Sequence, residues 1–203
     1  MSGQLGGLTL ASGMRIGILG GSFDPPHAGH LQLSTEALKR FDLDRVVWLV
    51  SPGNPLKIHA PAPLKDRLAA ARSLVRNPNI SVSGYEARVG TRFTAATLER
   101  LRKDFRGVHF VWLMGADNLV QFHKWDRWRD IAEHVPIGVL ARPSHRLAAR
   151  TSVTARVYRS ARLPENAAQS LAWQKAPAWC FLNMPMVDLS SSALRAKRGG
   201  QKI

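Results

Sequence analysis

A short stretch near the N-terminus contains residue types that are suited to phosphate chemistry. The stretch is GGSFDPPHAGH, residues 20–30, and its two histidines, His27 and His30, are three positions apart. It follows the apolar run MRIGIL and precedes LQLSTEALKRF, which has the apolar spacing of a helix. Side chains three apart share one face of a helix, and a helix N-terminus attracts anions through its N–H groups and its dipole. We therefore expect the two imidazoles and the glycine turn to form a phosphate pocket.

The glycines of this stretch favour a nucleotide site that differs from two common ones. Gly20 and Gly21 let the backbone turn tightly and approach a ligand, while Asp24 and the two prolines stiffen the loop. The stretch lacks the lysine and the GxxxxGK[ST] spacing of a P-loop, and it lacks the GxGxxG pattern of a dinucleotide redox site. The sequence thus predicts a phosphate site whose donors are histidines.

The elements that must position this site alternate along the chain. Strands are predicted over residues 15–20, 44–51, 108–115, 137–142 and 178–184, with a further strand that opens residues 80–88. Helices are predicted over residues 28–41, 64–77, 94–105 (with Thr94 as its N-cap) and 163–174, with a short helix inside 125–135 and a last one from 191. Several strands are apolar on both faces, which indicates a doubly wound, mostly parallel α/β sheet of Rossmann-like type. Ligands in such folds bind at the carboxyl ends of the strands.

Composition bounds the organisation and the environment of the chain. Its 203 residues, 45% of them hydrophobic, suit one domain over residues 14–203, and we expect the small, polar residues 1–13 to be a flexible tail. No stretch reaches the roughly 20 apolar residues of a membrane span, and the N-terminus lacks the features of a signal peptide. The single cysteine, Cys180, excludes an internal disulfide. We therefore expect a cytoplasmic protein with one buried thiol.

The net charge of +15 predicts an anionic partner. Nucleotide phosphates, nucleic acid and a counterion cloud are all consistent with that charge. No acidic residue lies between Glu133 and Glu165, and six arginines fall in that interval, which is either a solvated basic face or a phosphate-facing surface. A nucleic-acid-binding module is the weaker interpretation, because no recognised nucleic-acid motif accompanies the charge.

Five segments of the chain resemble one family. GGSFDPPHAGH resembles the H-x-G-H motif of the nucleotidyltransferase superfamily, and its form is most similar to that of the bacterial nicotinate-mononucleotide adenylyltransferase family. The other segments agree in order and spacing, and they are SPGNPLK (51–57), RFTAATLERL (92–101), MGADNLVQFHKW (114–125) and LSSSALR (189–195). The resemblance covers residues 14–198. Ser22 and Phe93 depart from it, since the family usually has Thr and Tyr at these positions.

The resemblance implies adenylyl transfer from ATP to nicotinate mononucleotide, which gives deamido-NAD and pyrophosphate in NAD biosynthesis. ATP would arrive with Mg²⁺ that is held mainly by the ATP phosphates and by water, without a protein metal site. An H-x-G-H enzyme with another phosphate acceptor, nicotinamide mononucleotide or phosphopantetheine, would share the same histidines and stays the alternative. The resemblance implies no nucleic-acid or membrane partner, and it leaves homo-oligomerisation open.

The resemblance also implies roles for individual residues. The catalytic set is His27, His30, Lys57 and Arg195. The ATP-binding set is Gly20, Gly21, Ser22, Phe23, His27, His30, Ser191, Ser192 and Arg195. The acceptor-binding set is Asn54, Lys57, Thr94, Asp117, Trp125 and Asp126. In the acceptor-binding set, Trp125 stacks on the pyridine ring, and backbone N–H groups near Thr94 and Asp126 bind the carboxylate of that ring. Asp117 binds ribose hydroxyls.

Overall fold

The computed structural model describes residues 4–53, 61–141 and 146–184, and a seven-stranded parallel sheet is its centre. A hairpin of β1 (Gln4–Leu5) and β2 (Leu8–Thr9) precedes the sheet. The sheet strands are β3 (Arg15–Gly21), β4 (Arg45–Val50), β5 (Ile80–Ser83), β6 (His109–Gly115), β7 (Ile137–Ala141), β8 (Arg162–Leu163) and β9 (Trp179–Asn183). The helices are α1 (Ala28–Arg40), α2 (Leu64–Leu74), α3 (Tyr85–Val89), α4 (Thr94–Asp104), α5 (Ala116–Gln121), α6 (Trp128–His134), α7 (Arg146–Arg150) and α8 (Val153–Val157).

Helices cover both faces of this sheet. In β4 the side chains of Val47 and Leu49 belong to a core cluster that includes Leu98 of α4. The alternate residue Trp48 belongs to a second cluster, which includes Ala37 of α1. Because successive strand residues point to opposite faces, the two clusters lie on opposite sides of the sheet. The predicted doubly wound α/β architecture is confirmed.

The order of the strands explains where the histidine stretch lies. The sheet runs β5-β4-β3-β6-β7-β9-β8. The chain builds outward from β3 to β5 and then returns to the other side of β3 with β6, so the strand order reverses between β3 and β6. Ligands of such sheets bind at the carboxyl ends of the strands, where the order reverses. The stretch 20–30 leaves the carboxyl end of β3, and it therefore begins at this point of the sheet.

The N-terminal segment differs from the predicted flexible tail over the residues that the structure describes. The strands β1 and β2 pair in an antiparallel hairpin. The side chains of Leu5 and Leu10 are buried in the core cluster that includes Leu98 of α4, which we call the α4-side cluster. Gly6 and Gly7 make the turn with φ angles of 62° and 84°, which glycine adopts without strain. Composition alone suggested a tail because the segment is rich in small residues, whereas its two buried leucines attach it to the domain.

The predicted elements agree with the structure to within a few residues, and the structure adds α5, α7, α8 and β8, which the sequence patterns do not predict. The loop expected after β5 forms α3, which Gly90 ends with a φ of 72°. The helix predicted over residues 163–174 is present as a 3₁₀ helix over Glu165–Trp173. Phe93 is the N-cap of α4, and Thr94 is its first residue. The predicted last helix lies outside the described residues, and among the described helices none is both long and apolar enough to cross a membrane.

Candidate active site

The side chains of the two histidines cap the N-terminus of α1 by accepting hydrogen bonds from backbone N–H groups of the helix start. His27 is the N-cap, and its Nδ1 accepts a hydrogen bond from the Gly29 N–H at 3.1 Å. His30 is the third residue of the helix, and its Nδ1 accepts from the His27 N–H at 3.2 Å. This reciprocal arrangement is a capping box built from imidazoles. The predicted positions of both histidines, at the start and in the first turn of α1, are confirmed.

The capping bonds determine where each ring carries its proton. A ring nitrogen that accepts a hydrogen bond holds no proton, so the proton of each neutral imidazole is on Nε2. The two rings are neighbours, with centroids 3.9 Å apart and planes inclined by 33°. Phosphate oxygens only accept hydrogen bonds, and an Nε2–H group is a suitable donor for them. The cap thus sets both rings in the tautomer that phosphate binding requires.

Aromatic side chains support the histidines from the sheet side. Phe23 is 1% exposed, and its ring lies 4.8 Å from that of His30 and stacks on Trp48 at 4.9 Å and 15°. Ser34 joins α1 to β4, because its hydroxyl donates to the His30 carbonyl at 2.8 Å and accepts from Trp48 Nε1 at 2.7 Å. The backbone of Phe23 has a φ of 47°, a left-handed conformation that is uncommon for a bulky residue. The side chain of Phe23 is therefore a buried support of His30.

The glycine turn is packed against the neighbouring strand. A Cβ atom on Gly20 would collide with Cη2 of Trp112, a buried residue of β6. The ring of Trp112 also makes an edge contact with Trp125, with centroids 6.2 Å apart and planes at 82°. One tryptophan thus connects the predicted ATP side of the site to the predicted acceptor side. This role of Trp112 has no signal in the sequence, because the residue lies in an apolar strand and outside every recognised motif.

On the acceptor side, exposure distinguishes Trp125 from its neighbour. Trp125 is partly exposed and makes an edge contact with Phe122 at 5.3 Å, whereas Trp128 is buried between Phe122 and Tyr158. A stacking platform for a flat ring needs an accessible face, which agrees with the choice of Trp125 over Trp128. Asp126, the next residue in the chain, is exposed.

The other predicted acceptor residues that the structure describes, Thr94 and Asp117, lie at the starts of α4 and α5. Thr94 is half-buried, and Phe93 before it is 40% exposed, which is unusual for a large apolar side chain in this fold. Asp117 is exposed in the first turn of α5, and its Oδ1 lies so close to Gly115 that a Cβ there would collide with it. Asp117 therefore sits at the carboxyl end of β6, the strand next to β3.

The buried carboxyl group of Glu86 contacts the first turns of α4 through the hydroxyl of Thr97. Glu86 is 5% exposed, and its Oε1 lies 3.1 Å from the hydroxyl of Thr97. That hydroxyl is also 3.0 Å from Thr91 Oγ1 and 3.1 Å from the Phe93 carbonyl oxygen. Burial raises the pKa of Glu86 to about 7, against a lowering by the Thr97 hydrogen bond. The sequence offers little signal for this role, because a single Glu in a short segment resembles a surface residue.

Five predicted site residues lie outside the described part of the chain. They are Asn54 and Lys57, which follow β4, and Ser191, Ser192 and Arg195, which follow β9. The loop after β4 has described residues at its two ends, Ser51 and Ala62. Both ends contact the stretch of residues 20–30, which we call the histidine turn. The Ser51 N–H donates to the Gly21 carbonyl at 2.9 Å, and the Ala62 N–H donates to Asp24 Oδ2 at 3.2 Å.

Comparison with known proteins identifies the family to which the chain belongs. The family described as Cytidylyltransferase-like matches residues 18–197. Curated relatives that carry the name "Probable nicotinate-nucleotide adenylyltransferase" include one from Cereibacter sphaeroides, 64% identical over 183 residues, which are 90% of this chain and 97% of the relative. Another, from Methylorubrum extorquens, is 50% identical over 185 residues, 91% of this chain and 100% of the relative. The nicotinic acid mononucleotide adenylyltransferase of Plasmodium falciparum, solved with NaAD, has a TM-score of 0.68 at 16% identity and covers 90% of this chain and 83% of its own.

Fold, site and relatives lead to one assignment. A doubly wound sheet with an H-x-G-H helix start at its switch point defines a nucleotidyltransferase. The chain belongs to the cytidylyltransferase-like family and, within it, to the nicotinate-nucleotide adenylyltransferases.

Proposed function

We propose that the histidine turn is the centre at which this chain transfers the adenylyl group of ATP to nicotinate mononucleotide, a step of NAD biosynthesis. The observation that carries the proposal is the reciprocal cap, which leaves two adjacent rings with their protons on Nε2 at the switch point of the sheet. The family and the curated relatives support the same reaction.

The chemistry of this reaction explains why the site needs donors and no general base. The nucleophile is a phosphate oxygen of the mononucleotide, which is already ionised at pH 7. It forms a bond to the α-phosphorus of ATP, while the bond from that phosphorus to the bridging oxygen breaks and pyrophosphate leaves with the electron pair. The protein has to align two polyanions in line and to stabilise the charge that builds up on the leaving group.

Each predicted ATP residue has a role in that alignment. His30 contacts the α-phosphate that is transferred, and His27 contacts the neighbouring phosphates. Lys57 adds a charge from the loop after β4, while Arg195 binds the β- and γ-phosphates with its planar donors. Ser191 and Ser192 would supply further hydroxyl and N–H donors, and Gly20, Gly21 and Ser22 would bring backbone groups close. For Phe23 the backbone is the part that would reach ATP, since its side chain is buried.

The acceptor side selects a flat ring with a carboxylate. Trp125 stacks on the pyridine ring, and backbone N–H groups near Thr94 and Asp126 bind the carboxylate through charge-assisted hydrogen bonds. Asp117 binds ribose hydroxyls, and Asn54 lies in the same loop as the lysine. A neutral amide would gain less from these donors, so we expect nicotinate mononucleotide to be preferred to nicotinamide mononucleotide.

The metal and the cellular location belong to the same proposal. Among the described residues no group of three or more His, Cys, Asp or Glu side chains could hold a metal ion. We take Mg²⁺ as part of the substrate, bound to ATP mainly through phosphates and water. The reaction uses soluble nucleotides, and we place it in the cytoplasm.

Pyrophosphate release tests the proposed function. With MgATP, we expect fast turnover with nicotinate mononucleotide and slow turnover with nicotinamide mononucleotide or phosphopantetheine. Trp125→Leu should raise the KM for the mononucleotide and leave the KM for ATP unchanged. The matched control is Trp173→Leu, which removes a tryptophan that is 55% exposed beside His109, at the amino end of β6.

Two results would change the proposal in different ways. Equal rates with the acid and the amide would keep the adenylyl transfer and contradict the carboxylate-selective pocket. Faster turnover with phosphopantetheine than with either pyridine nucleotide would contradict the acceptor assignment itself.

A further inference from the structure

A buried arginine lies beneath the two loops of the site. Arg67 belongs to α2 and is 2% exposed. Its guanidinium donates four hydrogen bonds, all to backbone carbonyl oxygens of loop residues. The acceptors are Ala62 (from Nε, 2.6 Å), Ser22 (from Nη1, 2.7 Å), Ser51 (from Nη1, 2.7 Å) and Pro52 (from Nη2, 3.2 Å).

This arrangement is a costly one for a packed interior. Burying a charge is expensive unless its donors are satisfied, and four of the five N–H bonds of Arg67 are satisfied by carbonyls of the described residues. Desolvation lowers the pKa of the Arg67 guanidinium, an effect that the negative charge of Asp24 opposes. An arginine nevertheless stays protonated at neutral pH. The position itself belongs to the core-facing side of α2, since Arg67 is four residues before the buried Ala71.

The four carbonyls come from three places that the site must hold together. Ser22 follows the glycine turn and precedes the histidines. Ser51 and Pro52 open the loop after β4, and Ala62 closes that loop before α2. Two further bonds join the loop to the turn, from Ser51 N–H to the Gly21 carbonyl and from Ala62 N–H to the Asp24 carboxylate.

We propose that Arg67 is a positioning residue for adenylyl transfer, which holds the histidine turn and both ends of the 51–62 loop in one arrangement through a single planar guanidinium. The inference rests on the proposed function, because the loop matters as the carrier of Lys57. The described ends of this loop, Ser51–Pro52 and Ala62, are both attached to the turn that carries the histidines. The free energy of these bonds thereby holds the histidine turn and the two described loop ends together before ATP arrives.

A lysine cannot replace this arginine. Its ammonium has three donors on one atom, whereas the guanidinium presents donors on three atoms in a rigid plane. Arg67→Lys therefore keeps the charge and loses the simultaneous contact to the turn and to both loop ends. The substitution isolates geometry from charge, which makes it the informative variant.

The test compares Arg67→Lys with Arg72→Lys in the full chain. Arg72 lies on the same helix and is exposed, so it controls for the change of residue type. At a temperature where circular dichroism shows both variants folded, we expect kcat for adenylyl transfer to fall at least 10-fold in Arg67→Lys and to stay at the wild-type value in Arg72→Lys. Hydrogen exchange of peptides covering residues 20–24 and 51–62 should become faster only in Arg67→Lys.

The outcomes separate this inference from the proposed function. Wild-type kcat and wild-type exchange in a folded Arg67→Lys would overturn the positioning role and leave the transferase intact. An inactive wild type with every acceptor would instead contradict the proposed function. If Arg67→Lys does not fold, the wild type decides: the amides of Ser51 and Ala62 should exchange slowly, and exchange at the rate of an open loop would overturn the inference.

Discussion

In His27 and His30 the two ring nitrogens have different roles, one in capping α1 and one in the proposed binding of phosphate. Nδ1 completes the helix cap, and Nε2 carries the proton that, in the proposed function, a phosphate oxygen accepts. The local fold of α1 and the chemistry of the site therefore depend on the same two side chains. A substitution that preserves the first nitrogen position and removes the second separates folding from catalysis.

Glu86 shows how a buried residue near the site links stability to pH. Its folded pKa is about 7, above the ordinary 4.5, because burial disfavours the charged form. Between those two pH values the unfolded chain releases the proton and the folded chain retains it. The contribution of Glu86 to stability is therefore complete below pH 4.5 and is lost as the pH rises to 7.

We predict that Glu86→Gln removes this part of the pH dependence. The amide of Gln cannot ionise, so the difference in unfolding free energy between wild type and variant should change by roughly 3 kcal/mol from pH 4.5 to pH 7, in favour of the variant. Urea denaturation across that range measures it. Glu99→Gln, at an exposed residue of α4, is the control, and equal pH profiles for Glu86→Gln and wild type would contradict the account.

At the scale of elements, the N-terminal hairpin contributes to the core of the domain. Leu5 is fully buried against the α4-side cluster, while Leu8 is only partly buried there. The hairpin is also joined to neighbouring elements by a hydrogen bond from Arg88 Nη2 to the Gln4 carbonyl at 3.0 Å. These contacts make the segment part of the folding unit.

We predict that Leu5→Ala lowers the free energy of unfolding by about 2–5 kcal/mol, as expected for a large-to-small change in a core. Leu8→Ala should cost clearly less, because its side chain keeps solvent contact in the folded state. Chemical denaturation of both variants provides the comparison. Two equal and small effects would restore the interpretation of this segment as a loose tail.

The elements that could be predicted from sequence are those with a local signal. Apolar β-branched runs such as 45–50 and the Ala- and Leu-rich α2 have patterns that only one kind of element satisfies. The glycine turn and its two histidines identify their own position for the same reason. Arg67, Glu86 and Trp112 could not be recognised, because their roles depend on partners that the fold brings together from distant positions in the chain, such as Ser22 with Ser51 or Gly20 with Trp112.

At the scale of the whole molecule, the net charge of +15 acts on substrates that are polyanions. A positive field raises the local concentration of anions, and salt screens it over a distance of about 8 Å at physiological ionic strength. The field adds to the specific donors of the site without replacing them. Its effect should therefore appear in substrate capture more than in the chemical step.

We predict that raising the KCl concentration from low to physiological values lowers kcat/KM for MgATP several-fold and changes kcat little. Steady-state kinetics at a constant Mg²⁺ concentration measures both constants. Sucrose at matched osmolality controls for solvent effects. A kcat/KM that does not depend on salt would show that the surplus charge has no part in substrate capture.

In the proposed function the Nε2–H group of His30 acts in the transfer step, and kcat of the His30→Asn variant measures what that group contributes. The Oδ1 atom of Asn can accept the His27 N–H in place of Nδ1, so the cap is kept while the Nε2 donor is lost. The control is His109→Ala. His109 lies at the amino end of β6, so it is at the opposite end of the strands from the site. We predict a folded variant, with a Tm lowered only by the lost ring contacts to Phe23 and His27, and a kcat that falls by roughly 10²–10³-fold, as for the loss of one donor to transition-state charge. A wild-type kcat in folded His30→Asn would contradict the account.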